Sequence, residues 1–419
     1  MRGVAPPGGA DVIALETSVL DGLGDVEARA DSFTGVQVDS RRIASGDLFV
    51  AVGDGSEFVD DALAHGAAAT LVPHDAFAAL ASIGRAVRER SSARIVAITG
   101  SMGKTSTKDI LAALSAPSAR TIAAEASYNN EVGVPLTLCR LEADTEVCVL
   151  ELAMRGFGQI AELAAIARPQ IGVVTNVGPV HLELVDSLEG VARAKGELIE
   201  ALPMGGTAIV PEDFPVSRDD IEIIRVGTPE GIRVDGRTSV GGVSFNFTAL
   251  HQIQNAATAL AALTALELPR PDSVDVDFAR WRGEEQELPG GGLLINDSYN
   301  ANPVSMRAAL AYLAERAGDR RRVAILGDMA ELGRTGPEYH REVGAAASEL
   351  GVDELLAVGE LARGYLEGGV PGRWVANVHD ALRQVDELVR PGDAVLVKAS
   401  RAVGLEAVAA ALTQIRATT

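Results

Sequence analysis

The chain contains only two cysteines, Cys139 and Cys148, in 419 residues. Their spacing fits no zinc or redox motif, and so few thiols cannot form a disulfide framework. A reducing cytoplasm is the expected compartment. Aromatic residues are scarce, at 4%. Basic residues are outnumbered, with 37 Lys and Arg against 58 Asp and Glu, so the net charge is −21. Neutralising a nucleic-acid backbone takes clustered cations, so a duplex partner is excluded. Docking on anionic lipid is excluded for the same reason. No apolar run approaches the roughly 20 residues that span a bilayer. The opening stretch Met1–Pro7 lacks the apolar core of a secretory leader. What remains is an ordinary core-forming composition, 47% hydrophobic and 23% charged. The length exceeds one domain, since domains run to roughly 100–200 residues.

The sequence divides into three α/β blocks, 1–87, 88–270 and 271–419. The first mixes short apolar runs with alanine-rich, helix-like stretches such as Asp60–Ala69. The second opens on the β-branched run Ala93–Thr99, which reads as a buried parallel strand. Further apolar runs follow at Val147–Leu152, Ile171–Asn176 and Thr207–Val210, with helical stretches between them. That alternation predicts a central doubly wound parallel sheet. Pro269-Arg270-Pro271-Asp272 reads as a linker. The third block repeats the rhythm at Leu293–Ile295, Val323–Ile325, Leu355–Val358 and Ala394–Val397, which predicts a Rossmann-like C-terminal domain.

The sharpest local signal is Thr99-Gly100-Ser101-Met102-Gly103-Lys104-Thr105-Ser106, between a predicted strand and a predicted helix. This is the setting of a P-loop. Gly100 and Gly103 let backbone N–H groups turn inward around phosphate oxygens, with Ser101 and Ser106 as further cofactor-binding candidates of the loop. The helix N-terminus adds partial positive charge. Lys104 suits the β- and γ-phosphates and Thr105 a Mg²⁺ ion. The loop is a shortened form, with Ile98 where the general motif has glycine. Alone it indicates a nucleoside triphosphate and no particular reaction.

Three more residues sit near that edge. Glu151 ends the run Val147–Leu150, and ligands of open parallel sheets gather at strand carboxyl ends. It reads either as a Mg²⁺ ligand or as a solvated glutamate. His181, after Ile171–Asn176, reads as a catalytic or metal-binding group or as a structural histidine. Lys195, in Ala194-Lys195-Gly196-Glu197, reads by itself as a surface lysine.

Taken in order, these stretches resemble the Mur ligases, the peptide-bond-forming enzymes of peptidoglycan synthesis. Nearly the whole chain takes part. Val38-Asp39-Ser40-Arg41 and Gly46–Ala51 match in the first block. Thr99–Lys108, Tyr128–Thr137, Thr175–His181 and Ala194–Glu197 match in the second. Asn296–Pro303, Leu326–Gly333 and Leu396–Arg401 match in the third. The Tyr-Asn-Ala-Asn-Pro and Gly-Asp-Met-x-Glu-Leu-Gly segments indicate the branch that adds a dipeptide to a UDP-sugar-peptide.

The resemblance implies an N-terminal domain for the UDP-sugar-peptide, with Ser40 and Arg41 at its nucleotide end. It implies a central domain for ATP and two Mg²⁺ ions, and a C-terminal domain that closes over ATP and presents the amine. One metal would take Thr105 and Glu151, the other His181 and a carbamylated Lys195. Nearby cations would keep the Lys195 amine neutral, as reaction with CO₂ requires. The catalytic set it implies is Lys104, Lys195, His181 and Asn129. Asn255 would meet adenine, Arg282 the phosphates, and Asp297 and Asn300 the ribose side. Asn129 and Asn130 would line the channel for an acyl phosphate, and Lys398, Ser400 and Arg401 would serve the amine. The partners implied are small molecules, and the expected state is a monomer.

The chain departs from the family pattern at Ser56, Gln159, Pro211-Glu212-Asp213, Leu250 and Ala399, while the ATP residues are intact. Two other readings therefore stand beside this one. A ligase of the same kind could act on another acid and amine, or the fold could bind nucleotide without catalysis.

Overall fold

A computed structural model describes residues 12–227, 229, 231–234, 236–249 and 251–414. They form two compact units. One runs to Asn176 and takes in Ala192–Thr248 and Gln252–Asp277, while the other gathers Val177–Val191, Ala249–His251 and Phe278 onward.

The first unit holds a small four-stranded sheet in the order Gly24–Ala28, Ala69–Pro73, Asp47–Val50, Gly35–Gln37. The first pair is antiparallel and the others are parallel. The helix expected over Asp60–Ala69 is shorter, Val59–Ala64. Ala67 and Ala68 are buried beyond it, and Ala69 opens a strand between two neighbours. Alanine's helix preference is weak, and sheet pairing overrides it here.

The same unit holds a six-stranded, wholly parallel sheet. Its order is Glu222–Val226, Thr207–Pro211, Ile171–Val174, Arg94–Thr99, Val147–Glu151, Thr121–Ala123. Ile95, Val96, Ala97 and Ile98 are fully buried, as a strand covered on both faces requires. Register places Ile98 opposite Glu151 and Thr99 opposite Val174. Three neighbouring strands therefore end together, and this shared edge is where a doubly wound sheet binds ligands.

The second unit is built on another six-stranded sheet, in the order Glu284–Leu288, Gly292–Asp297, Ala394–Lys398, Arg322–Gly327, Glu354–Val358, Gly372–Val375. The first strand is antiparallel and the rest are parallel. One face packs on the helices Pro303–Ala317 and Gly336–Glu349, and the other on Val378–Leu388 and Glu406–Gln414. Part of the Tyr-Asn-Ala-Asn-Pro segment is a helix start. Asn302 accepts from the Ser305 N–H while the Ser305 side chain reaches back to the Asn302 backbone, and Pro303 takes the first helical turn. Among the described residues, no helix is long and apolar enough to cross a membrane.

Candidate functional site

The strand Arg94–Thr99 runs through the turn 100–103 into the helix Lys104–Ser115. Gly100 has φ 151°, and a Cβ there would lie 1.8 Å from Thr175 Oγ1. Gly103 has φ 78°, and its Cβ would lie 2.2 Å from Asn255 Oδ1. Only glycine meets both the backbone angle and the crowding. The neighbouring strand end holds the loop. Thr175 Oγ1 donates to the Met102 carbonyl at 2.6 Å, Asn176 Nδ2 donates to it at 3.0 Å, and the Met102 N–H donates to Asn176 Oδ1 at 3.0 Å. The Ser101 N–H donates to the Asn176 carbonyl at 3.1 Å. Thr175 and Asn176 thus belong to the site. Their sequence signal was two polar residues closing an apolar run.

Lys104 Nζ donates back to the Gly100 carbonyl at 2.7 Å, so its ammonium lies across the loop. Thr105 Oγ1 donates to Glu151 Oε2 at 2.7 Å, and Asn129 Nδ2 donates to Glu151 Oε1 at 2.9 Å. Glu151 is 1% exposed, which decides against a solvated strand-end glutamate. Its hydrogen-bond partners are both uncharged. A buried carboxylate beside a hydroxyl is a hard-oxygen pair of the kind Mg²⁺ takes, so these residues fit the cation the resemblance implies.

Lys195 was expected at the surface from its sequence alone, yet it is 2% exposed. Among the described residues, none forms a hydrogen bond or ion pair with its side-chain amine. Burial, and then the positive charge of Lys104, hold its ammonium well below its usual pKa. A buried amine whose charged form is disfavoured fits carbamylation, and the carbamate would supply the oxygen ligand that a free lysine lacks. Among the described residues, no group of three or more His, Cys, Asp or Glu forms a metal cluster.

The helix His251–Ala265 brings Asn255 against the loop at Gly103. Asn255 Nδ2 donates to Gln252 Oε1 at 2.8 Å, and Gln252 Nε2 donates to Ser106 Oγ at 3.4 Å. Asn130 Oδ1 accepts the Gly133 N–H at 2.9 Å, which fixes the loop bearing Asn129. Ser40 is buried in a short turn, and Arg41 forks onto Asp39 at 2.8 and 2.7 Å. This pairing holds the Asp39 carboxyl down to about 2. The first unit therefore contains Ser40, Arg41, Gly100, Ser101, Gly103, Lys104, Thr105, Ser106, Asn129, Asn130, Glu151, Lys195 and Asn255.

The remaining site residues gather in the second unit. Lys398 is buried and donates to Asp297 Oδ2 at 2.6 Å and to the Asn300 carbonyl at 2.8 Å. Lys398 thus joins the two residues expected at the ribose. Ser400 Oγ accepts the Ala330 N–H at 2.8 Å. The Arg282 guanidinium stacks 4.1 Å from the Tyr299 ring, and that of Arg401 lies 4.7 Å from the Trp281 ring. His181 belongs to this unit, with Nδ1 2.5 Å from Glu331 Oε2. The ring's N–H direction misses the oxygen, so this is a close polar contact and not an aligned hydrogen bond.

The departures from the family pattern have local explanations at two positions. Gln159 Oε1 accepts the Arg155 and Gly156 N–H groups at 2.6 and 3.3 Å, as an acid could do there. The Ala399 methyl is fully buried facing Gly327, where a Cβ would come within 2.6 Å. Leu250 lies outside the described residues.

The glycine turn between strand and helix, the buried Thr105–Glu151 pair and the buried Lys195 define a P-loop nucleotide site in an α/β enzyme. The Mur ligase middle domain matches residues 98–263, and the Mur ligase, glutamate ligase domain, matches residues 281–401. A UDP-N-acetylmuramoyl-tripeptide–D-alanyl-D-alanine ligase of Synechocystis sp. is 35% identical over 412 residues, covering 89% of this chain and 90% of that one. The solved structure of MurF from Acinetobacter baumannii is similar at a TM-score of 0.84 and 28% identity, covering 97% of this chain and 100% of that one. MurF ligase from Thermotoga maritima in complex with ADP is similar at 0.79 and 26%, covering 92% and 98%. The chain belongs to the Mur ligase family and is an ATP-dependent ligase.

Proposed function

We propose that this chain joins D-alanyl-D-alanine to UDP-N-acetylmuramoyl-tripeptide, with ATP cleaved to ADP and phosphate, as a cytoplasmic step of peptidoglycan precursor synthesis. The observation that carries the reading is the buried Thr105–Glu151 pair, with Asn129 donating to it, against an intact P-loop, in a chain matched over nearly its full length by ligases of that name. The blocks 1–87, 88–270 and 271–419 would take the UDP-sugar-peptide, ATP and the amine respectively.

In this reading the loop N–H groups and Lys104 hold the triphosphate, and Asn129 faces the carboxylate that receives the γ-phosphoryl group. The carboxylate oxygen attacks phosphorus and ADP leaves. The dipeptide amine then attacks the acyl carbon, loses a proton, and phosphate leaves. Asn255 would meet adenine, Asp297 and Asn300 the ribose, and Arg282 the phosphates. Lys398, Ser400 and Arg401 would border the amine, and Ser40 and Arg41 the uridine diphosphate. Two Mg²⁺ ions would be held by Thr105 with Glu151 and by His181 with carbamylated Lys195, and their contribution is to neutralise phosphate charge. Excluding water matters, because hydrolysis of the acyl phosphate wastes ATP. Replacing Lys104 with alanine should abolish ADP release with the fold intact by circular dichroism. Full activity in that variant would sink the assignment.

A further inference from the structure

The segment between the strand Thr121–Ala123 and the helix Gly133–Leu138 carries Asn129 and Asn130, and it is held from several sides. Lys108 Nζ donates to the Ala124 and Ala126 carbonyls at 2.7 and 3.1 Å. The Ala153 N–H donates to the Asn129 carbonyl at 2.9 Å. The Tyr128 N–H donates to the Glu125 carbonyl at 2.9 Å and closes a turn just before Asn129. The Tyr128 backbone presses on Gly133, where a Cβ would come within 2.5 Å of Tyr128 Cα.

The remaining hold comes from far away in sequence. Arg42 Nη1 donates to Tyr128 Oη and Arg42 Nη2 donates to Glu125 Oε2, both at 3.2 Å. One guanidinium thus grips both ends of the 125–128 turn. A planar fork can do this, whereas a lysine ammonium, a point donor, cannot hold both in plane. Arg140 also approaches Glu125, at 3.5 Å, but does not reach Tyr128. Arg42 sits in the turn with Ser40 and Arg41, and Arg41 is already occupied by Asp39. The arginine that connects this turn to the asparagine loop is therefore Arg42, which the sequence motif did not single out.

We propose that Arg42 is a positioning residue: by clamping Tyr128 and Glu125 it fixes the loop that presents Asn129 to Glu151 and to the carboxylate being phosphorylated. This rests on the function proposed above. Arg42 does not touch the reacting atoms and acts through the loop. Both contacts are solvent-exposed and therefore weak, so together they correspond to roughly a three- to tenfold effect. Misplacing the acyl phosphate would also let water compete with the amine.

The test uses the full chain with Arg42→Met, Arg42→Lys and Tyr128→Phe, and the double variant Arg42→Met/Tyr128→Phe. Wild-type turnover with the muramyl tripeptide and D-alanyl-D-alanine is measured first, and its absence would overturn the function and not the clamp. The clamp has its own readout in amide hydrogen exchange of the ligand-free protein. Arg42→Met is expected to speed exchange over 125–130 without a general loss of protection. In turnover, kcat should fall roughly three- to tenfold, with KM for ATP unchanged and more ADP released per amide formed. Arg42→Lys should recover little, and the double variant should be no worse than Arg42→Met. Unchanged exchange over 125–130 overturns the proposal. So does an effect confined to KM for the UDP-sugar-peptide and additive with Tyr128→Phe, since that would make Arg42 a direct substrate contact.

Discussion

Glu331 Oε2 lies 2.5 Å from His181 Nδ1, and both residues hold left-handed backbones, with φ of 61° and 53°. Such a conformation costs a non-glycine residue of order 1–3 kcal/mol, and it persists where surrounding structure imposes it. A Cβ on Gly333 would come within 3.0 Å of Glu183 Cβ, so the two turns are also packed closely. A histidine that binds a metal through one ring nitrogen commonly has the other held by a carboxylate. Glu331→Gln is therefore expected to weaken Mn²⁺ binding by about 10- to 100-fold, with nucleotide affinity little changed. Titrating Mn²⁺ by electron paramagnetic resonance checks it, and wild-type affinity would remove Glu331 from the site.

The Thr105–Glu151–Asn129 arrangement gives a graded expectation. Glu151→Gln keeps the shape and removes the charge, so kcat should drop at least a hundredfold, which is about 2.7 kcal/mol. Asn129→Ala leaves a buried carboxylate oxygen without its donor, at about 1–3 kcal/mol. Thermal melts with steady-state kinetics separate the two. The first should lose activity with little change in melting temperature, and the second should lose both.

At Gly103 a methyl group meets Asn255 Oδ1 at 2.2 Å on a backbone with φ 78°. Gly103→Ala should destabilise the chain by about 1–3 kcal/mol and weaken ATP binding at least tenfold. Calorimetry with a non-hydrolysable ATP analogue gives the number. Ordinary affinity would show that the loop can shift without loss.

Lys195 carries a pH expectation. Its folded pKa lies well below the ordinary value of 10.5, because burial and Lys104 oppose its charge. The unfolded chain therefore binds the extra proton throughout the window between the lowered folded value and 10.5. In that window stability rises with pH, and above 10.5 it levels off. Replacing Lys195 with the similarly shaped, uncharged methionine should abolish turnover. In bicarbonate-free buffer it should raise the melting temperature near neutral pH, with the gain shrinking toward pH 10.5. A variant less stable than wild type at pH 7 would contradict a strained amine at this position.

Both thiols are pushed up to about 12 by burial, so Cys139 and Cys148 should resist alkylation at pH 8 in the folded protein. Labelling should appear only on unfolding, and mass spectrometry with iodoacetamide reads it directly. Rapid labelling of the native chain would show that these strand and helix-end positions open.

Much of the ATP end was legible because its signals are local. A β-branched run, a glycine turn and Gly-Lys-Thr specify a strand, a loop and a helix from neighbouring residues alone. The parallel register that puts Glu151 beside Thr105 follows from the same alternation. Lys195 was not legible from its neighbours, since its helix has polar residues on both sides and its burial comes from distant packing. Arg42 was hidden for a related reason: its partners stand more than 80 positions away, with Arg41 beside it as a decoy. The Lys398–Asp297 pair joins strands that are neighbours in space and 101 positions apart in sequence. Ala67–Ala69 misled because alanine favours helices only when no sheet claims it.

The central claim is settled most directly by measuring ADP release from the purified protein with Mg²⁺, bicarbonate and UDP-N-acetylmuramoyl-tripeptide, with and without D-alanyl-D-alanine. Release that needs both substrates, with the ligated product seen by mass spectrometry, is the expected outcome. ADP release that ignores the dipeptide, or no release above background while ATP still binds, would contradict the assigned substrates and leave only the ATP site and the family.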